Sequence, residues 1–288
     1  MSNYKRVLIP IDLTSGRGAL SPAVQQSVDT SDAEITLLHV VDSQSRHVRN
    51  SQTMRLMTGL ELFGHRQFQQ AQIARRLEWG RPADCILNAI RATRADVVLM
   101  SAGTAPLDQN ALSPVAAEVL AEAACPVLLE WPVTAPVNQA RVHPVCCAVE
   151  FDRGEDAVLR EAVWAAARIQ APLQLVCALV PGGANMPLLW DPEGRDREIA
   201  RVTTRLEALR DRCAPGARVH VGVGLPVSVF SRAIRAHRAA LLVTGSSHEA
   251  LVAAESECPV LYVPAAKRAR AGRPEAVRPA VFAAGRSA

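Results

Sequence analysis

Seven cysteines are the most reactive side chains in this sequence: Cys85, Cys125, Cys146, Cys147, Cys177, Cys213 and Cys258. Zinc sites and disulfide frameworks need paired spacings or a secreted context. No C-x-x-C pair occurs, and most of the seven sit inside apolar runs such as VCCAV and LVCAL. They read as buried free thiols acting as small hydrophobes. No His and carboxylate cluster has metal spacing, since His248-Glu249 continues as Ala250-Leu251-Val252 rather than as H-E-x-x-H. Walker A and the G-x-S-x-G nucleophile elbow are both missing. The dinucleotide fingerprint fails at its third glycine, because Gly222-x-Gly224 is followed by Val227. A phospho-receiver needs an Asp closing its third strand, where this chain has Trp79-Gly80 and Val223-Gly224. TSGRG at 14–18 is a thin echo of a flavin-phosphate loop, and the second copy of that place reads FDRGE. Two acids remain: Asp12 closes the run VLIPID and Glu150 closes VCCAVE.

Those two acids are placed by a repeat. GRPADCILNAIRA at 80–92 recurs as GLPVSVFSRAIRA at 224–236, an offset of 144. An apolar strand follows each, ADVVLMSAG at 95–103 and AALLVTGSS at 239–247. Each repeat closes on a Cys-Pro-Val strand, CPVLLEWP at 125–132 and CPVLYVP at 258–264, where the offset is 133. The second repeat is therefore 11 residues shorter between its fourth and fifth strands. Such self-similarity marks tandem units.

Within each repeat, short apolar runs alternate with helical patterns. Strands are expected at 5–11, 34–41, 75–79, 95–101 and 126–131, and again at 143–149, 172–179, 217–223, 239–245 and 259–263. Ile86, Leu87 and Ile90 share one face of a helix over 83–93, with Pro82 in its first turn. Val158, Ala162 and Ala165 line a helix over 155–168. Alternation of this kind implies parallel βαβ units with right-handed crossovers and a sheet covered on both faces. The stretches 42–53 and 181–195 read as loops over the carboxyl ends of strands, where open α/β sheets bind ligands.

The 288 residues, 49% hydrophobic and 21% charged, suit two ordinary globular domains. The boundaries expected are 1–135 and 140–266, joined through the Pro-broken TAPVNQAR at 134–141. A basic tail over 267–288 reads as disordered, with six basic residues against Glu275. Outside it the balance is 26 basic to 27 acidic residues, which gives no basis for specific nucleic-acid binding. No apolar run is long enough to span a membrane and the N-terminus lacks a cleavage signal, so a cytoplasmic protein is expected.

The landmarks VLIPID, LLHVVD, a G-x-P-A helix leader, ADVVLM and a closing CPVLL, in that order, resemble the universal stress protein family. The resemblance covers about residues 4–132 and, more weakly, 142–264. It implies two tandem α/β domains, each a five-stranded parallel sheet of the flavodoxin-like, doubly wound kind. It also implies that the domains form an internal pseudo-dimer by pairing their closing strands, with further dimerisation open. Many members bind ATP through a stretch G-x-x-G, nine residues, then G-S/T after the fourth strand. There, backbone N–H groups and a helix N-terminus hold phosphate.

Alignment places those glycines at Ser101, Thr104 and Pro114, with Gly103 one position out of register. Pro114 deletes a donor and suits a helix N1 position, with Ser113 as N-cap. Asp12 stands where the family's adenine-side Asp lies, and Val40 and Val41 match the positions flanking the base. An Asp ending a strand also often caps a neighbouring loop, and His39 reads as a buried, hydrogen-bonded histidine. In the second repeat Gly245, followed by Ser246 and Ser247, falls at the first glycine and the rest of the cradle is cut away. The expectation is a non-enzymatic stress-response or regulatory module without a cofactor. Its vestigial ATP site comprises Asp12, Val40, Val41, Ser101, Gly103, Thr104 and Ser113. The alternative is an ATP-binding switch or weak ATPase using the first repeat. The protein partners are not legible.

Overall fold

The computed structural model describes residues 4–13, 33–42, 50–68, 72–102, 112–131, 143–151, 155–180, 192–246 and 258–264. The linker at 134–141 and the tail at 267–288 lie outside them. Ten strands form one sheet. The first repeat supplies β1 (Arg6–Pro10), β2 (Glu34–Val41), β3 (Gln72–Trp79), β4 (Val97–Ser101) and β5 (Val127–Glu130). The second supplies β6 (Val145–Ala148), β7 (Leu173–Leu179), β8 (Arg218–Val223), β9 (Leu241–Thr244) and β10 (Val260–Tyr262). The order is β3-β2-β1-β4-β5-β10-β9-β6-β7-β8. Every pairing within a repeat is parallel. Each repeat is thus the doubly wound unit that the alternating pattern implied.

The described helices are α1 (Asn50–Gln67), α2 (Pro82–Thr93), α3 (Pro114–Glu122), α4 (Glu155–Arg168), α5 (Pro192–Cys213) and α6 (Pro226–His237). They cover both faces. Leu60 of α1, Val158 of α4 and Leu206 of α5 share one core with the odd-numbered β1 residues Val7 and Ile9. Ile86 of α2, Val119 of α3 and Ile234 of α6 share the other with Leu8.

Three boundaries correct the sequence expectation. β3 begins at Gln72 rather than at 75. Among the described residues it is the sheet's outermost strand on that side and pairs with β2 alone, so its backbone ladder carries Gln72, Ile73 and Ala74 without an apolar run. α1 begins at Asn50 and α5 at Pro192, inside stretches expected to be loop. Both openings are polar, and the helices draw their stability from later residues such as Leu60 and Leu206.

The repeated G-x-P leader has a local cause. Gly80 and Gly224 adopt φ +152 and +142, a region that favours glycine. Their N–H groups donate to Val41 and Leu179 carbonyls at 3.1 and 3.0 Å. Each leader thereby hangs the following helix from the end of the preceding parallel strand. Both helices then stop alike, on left-handed Arg94 and Arg238.

The repeats meet through their closing strands. β5 and β10 pair antiparallel, with Leu129 opposite Val260, Leu128 opposite Leu261 and Val127 opposite Tyr262. Leu128 and Leu261 are buried. Left unpaired, these apolar strands would be aggregation-prone edges, and tethering makes their pairing intramolecular. A second fastening crosses the join. Tyr4 donates its hydroxyl to Glu161 Oε2 of α4 at 2.6 Å, in a buried setting. Its ring meets Trp164 edge to face at 5.0 Å. Burial, then the Glu161 charge, pushes the Tyr4 hydroxyl far above the ordinary tyrosine value, so it stays a donor.

Candidate functional site

Open α/β sheets bind ligands where strand order reverses, beyond the carboxyl ends of the strands. In the first repeat that place lies between β1 and β4. Asp12 is exposed there, two residues beyond β1. The pairing Pro10↔Leu38, carried forward two residues, sets Asp12 level with Val40. Val40 is half-buried and Val41 buried.

The backbone before Asp12 is tied down on both sides. Ile11 N–H donates to the Leu38 carbonyl at 2.8 Å. His39 is buried, and its Nδ1 lies 2.8 Å from the Ile11 carbonyl oxygen. In the tautomer carrying a proton there, Nδ1–H donates to that carbonyl. The Leu13 N–H, 3.5 Å from the same nitrogen, competes only in the other tautomer. His39 is the buried, hydrogen-bonded residue expected from sequence, and it also holds the peptide that presents Asp12.

Ser101 ends β4 and is exposed. The pairing Leu8↔Val98, carried forward three residues, sets it level with Ile11. Gly103 and Thr104 lie outside the described residues. Ser113 caps α3: its Oγ accepts from Ala116 N–H at 3.1 Å, and its own N–H donates to the Ala102 carbonyl at 2.8 Å. Pro114 occupies the first helical position, as its type and place predict. Among the described residues, this leaves Val115 N–H as the one donor of that first turn without an internal partner.

Two groups at this end escaped sequence reasoning. Arg81 at the start of α2 bonds Glu118 of α3, clamping the two helices together. Glu130 is buried at the end of β5, opposite Ser101, and its backbone carbonyl accepts from Ala102 N–H at 2.8 Å. The signal available was an acid closing the apolar run VLLE.

The second repeat builds the same place differently. Glu150 is exposed beyond β6. The next residue, Phe151, holds φ +56, and the Arg205 guanidinium of α5 stacks over its ring at 4.0 Å. The first repeat has Leu13 there, and a Cβ on Gly59 of α1 would come within 3.2 Å of it. Gly245, the one aligned glycine, has a packing reason, since a Cβ on it would meet Val158 Cγ2 at 3.0 Å. No helix equivalent to α3 occurs among the described residues, and 247–257 lie outside them.

The cysteines are all free and six are buried. Burial pushes the Cys125 and Cys146 thiols up to about 12, far from the thiolate needed for nucleophilic or metal chemistry. Cys213 is the correction: it is exposed in the last turn of α5, where Arg212 Nε donates to its sulfur at 3.4 Å. Among the described residues no group of three potential metal ligands occurs, and no helix is long and apolar enough to cross a membrane.

Solved structures share this architecture. A protein of Pseudomonas aeruginosa PAO1 described as functionally unknown aligns with a TM-score of 0.63 at 18% identity, over 91% of this chain and 93% of its own. A putative universal stress protein from P. aeruginosa UCBPP-PA14 matches equally, with a TM-score of 0.63 at 17% identity over the same shares, 91% and 93%. A universal stress protein from Archaeoglobus fulgidus DSM 4304 gives 0.57 at 17% identity, over 90% and 96%. No curated protein matches the chain. At these identities the structures speak for the fold. The family assignment rests on the sequence model of the universal stress protein family, which matches twice, over residues 3–129 and 141–264. Two matches in tandem, on two doubly wound units in one sheet, make this chain a member of the universal stress protein family built from two of its domains.

Proposed function

We propose that this tandem universal stress protein is a non-enzymatic, cytoplasmic stress-response module that acts through partner contacts and has largely lost its nucleotide cradle. The N-terminus of α3 carries this reading. Phosphate needs unpaired backbone donors at such a terminus. Here Ser113 Oγ takes one donor, the Ala102 carbonyl takes another, and Pro114 removes a third. A triphosphate finds a single unpaired donor, Val115 N–H, at a helix end that otherwise satisfies itself. Losing one charge-assisted hydrogen bond costs roughly 1.5–3 kcal/mol, or about one to two decades in affinity. Two or three such losses take a micromolar site to millimolar. In the second repeat, no helix like α3 stands among the described residues, and Glu150 is a methylene longer than Asp12.

A weak ATP-binding switch in the first repeat is the second reading. Asp12 favours it, being exposed at the reversal point on a backbone fixed by Leu38 and His39. Titration calorimetry with Mg-ATP separates the two. Millimolar or absent binding is expected. A dissociation constant near micromolar, abolished by Asp12→Ala or Gly103→Val, would overturn the first reading in favour of the switch.

A further inference from the structure

We propose that the outer edge of β8, with the flank of α6, is a docking site for an extended acidic peptide that adds to the sheet as an eleventh strand. From Ala214 to Ser246 the chain carries Arg218, His220, Arg232, Arg235, His237 and Arg238 and no acidic residue. All six side chains are exposed. Strand alternation puts Arg218 and His220 on the face of Gly222, and a Cβ on Gly222 would strike Val229 of α6. That is the α6 face. Arg232 of α6 reaches back across it, its Nη2 lying 3.7 Å from where a Gly224 Cβ would stand. Partial desolvation, then the charges of His237 and Arg232, lowers the His220 pKa, which leaves the arginines as the patch's lasting charges. Among the described residues no ion pair reaches Arg218 or Arg232. Arg232 Nε instead donates to the Ser228 carbonyl at 3.3 Å.

The first repeat treats its own edge the opposite way. On β3, Arg76 pairs with Glu78 at 3.0 Å, and Arg81 beside it has Asp84 and Glu118. Charge of one sign left unneutralised on a sheet edge raises the local concentration of the opposite sign.

Two observations favour a peptide over a nucleic acid. Among the described residues β8 pairs with β7 alone, so its other side presents alternating N–H and C=O groups, which a polypeptide strand matches in both senses and a phosphate chain only as acceptor. The only Phe, Tyr or Trp from 214 to 246 is Phe230, which is 1% exposed, so the patch offers no large aromatic platform of the kind that binds single strands. At the carboxyl end of the strand, Val180, Leu225 and Val227 are exposed, 43%, 64% and 41%, and suit an apolar residue after the acidic ones.

Fluorescence anisotropy on the full-length protein tests this. The probe is a labelled six-residue peptide, the length of β8, alternating glutamate and valine and extended by leucine. Binding that weakens about tenfold or more with Arg218→Glu/Arg232→Glu, and is unchanged by Arg76→Glu, is expected. A peptide with proline at alternate positions should bind far less well, since it cannot complete the ladder. Absence of binding at low ionic strength would overturn the proposal. So would equal binding of the proline peptide, or a single-stranded oligonucleotide that binds more tightly through the same arginines.

Discussion

The two repeats share their strand order, their glycine leaders and their left-handed helix stops, and part company wherever a side chain faces out of the sheet's carboxyl ends. Gly80 and Gly224 do the same work, as do Arg94 and Arg238. Beyond them, the first repeat has Arg81 clamped to Glu118, a capped α3 and an acid on a fixed backbone. The second has exposed Leu225, Phe151 under Arg205, and, among the described residues, an edge whose Arg218 and Arg232 have no ion pair. The parts that build the sheet are held constant by packing on both faces, where one misplaced methylene is felt. Surface positions carry no such constraint and are where the two copies diverge in role.

The sharpest test of that contrast lies where the copies must be equivalent. Leu128 and Leu261 face each other in the join, both buried. Leu128→Asp and Leu261→Asp should destabilise alike, by ~3–5 kcal/mol each, as a buried unpaired charge does. Denaturant melts with unequal losses would show that the join belongs to one half more than the other.

The fastening beside it is one-sided by construction, with the hydroxyl from the first repeat and the carboxylate from the second. Tyr4→Phe leaves Glu161 buried without that donor and should cost about 1–3 kcal/mol. Tyr4→Phe/Glu161→Leu should recover part of it in the same melts. A Tyr4→Phe protein as stable as the parent would mean that the tyrosine acts through its ring and Trp164 alone.

A smaller change separates two equivalent helices on the same face of the sheet. Among the described residues, Ser231 of α6 is the buried side chain whose hydroxyl lacks a hydrogen-bond partner, where the offset of 144 puts Leu87 in α2. Ser231→Ala should be stabilising by roughly 1 kcal/mol. A loss of that size would reveal a bond that the hydroxyl makes in solution.

The smallest effect is one of pH. Burial alone would raise the Asp96 carboxyl, but bonds from the Arg6 side chain and backbone outweigh it and hold the group below its ordinary range. A depressed folded pKa means stability that is present above the unfolded value and lost as pH falls through the folded one. The aligned places in the second repeat are Pro144 and Ala240, which keep the backbone bond without a carboxylate. Asp96→Asn should therefore lower stability modestly at neutral pH, leave the acid limit little changed, and so flatten the acid side of the stability profile. An unaltered acid limb would place the titration elsewhere.

Much of this was legible in the chain. Strands buried on both faces, such as Val97–Ser101, announce themselves as apolar runs, and Ser113-Pro114 predicts its own cap because the reason is local. Three features were not. β3 hid its first residues because an edge strand with Arg75 and Arg76 shows no apolar period. α1 and α5 hid their starts because polar first turns look like loop. Tyr4 and Glu161 are 157 residues apart, and no spacing rule connects them. The reduced cradle was readable only by alignment, since eroded glycines leave no pattern of their own.

The antiparallel join has a consequence for communication. Reversing direction between β5 and β10 sends the end of the sheet bearing Asp12 and the end bearing Glu150 to opposite rims of the molecule. From β1 to β6 there are five strand steps, about 24 Å sideways at about 4.8 Å each. That exceeds the screening length of about 8 Å at physiological salt. Charge arriving at one rim is therefore electrically silent at the other, and whatever passes between them must travel mechanically, through the short ladder and the Tyr4–Glu161 contact that join the halves.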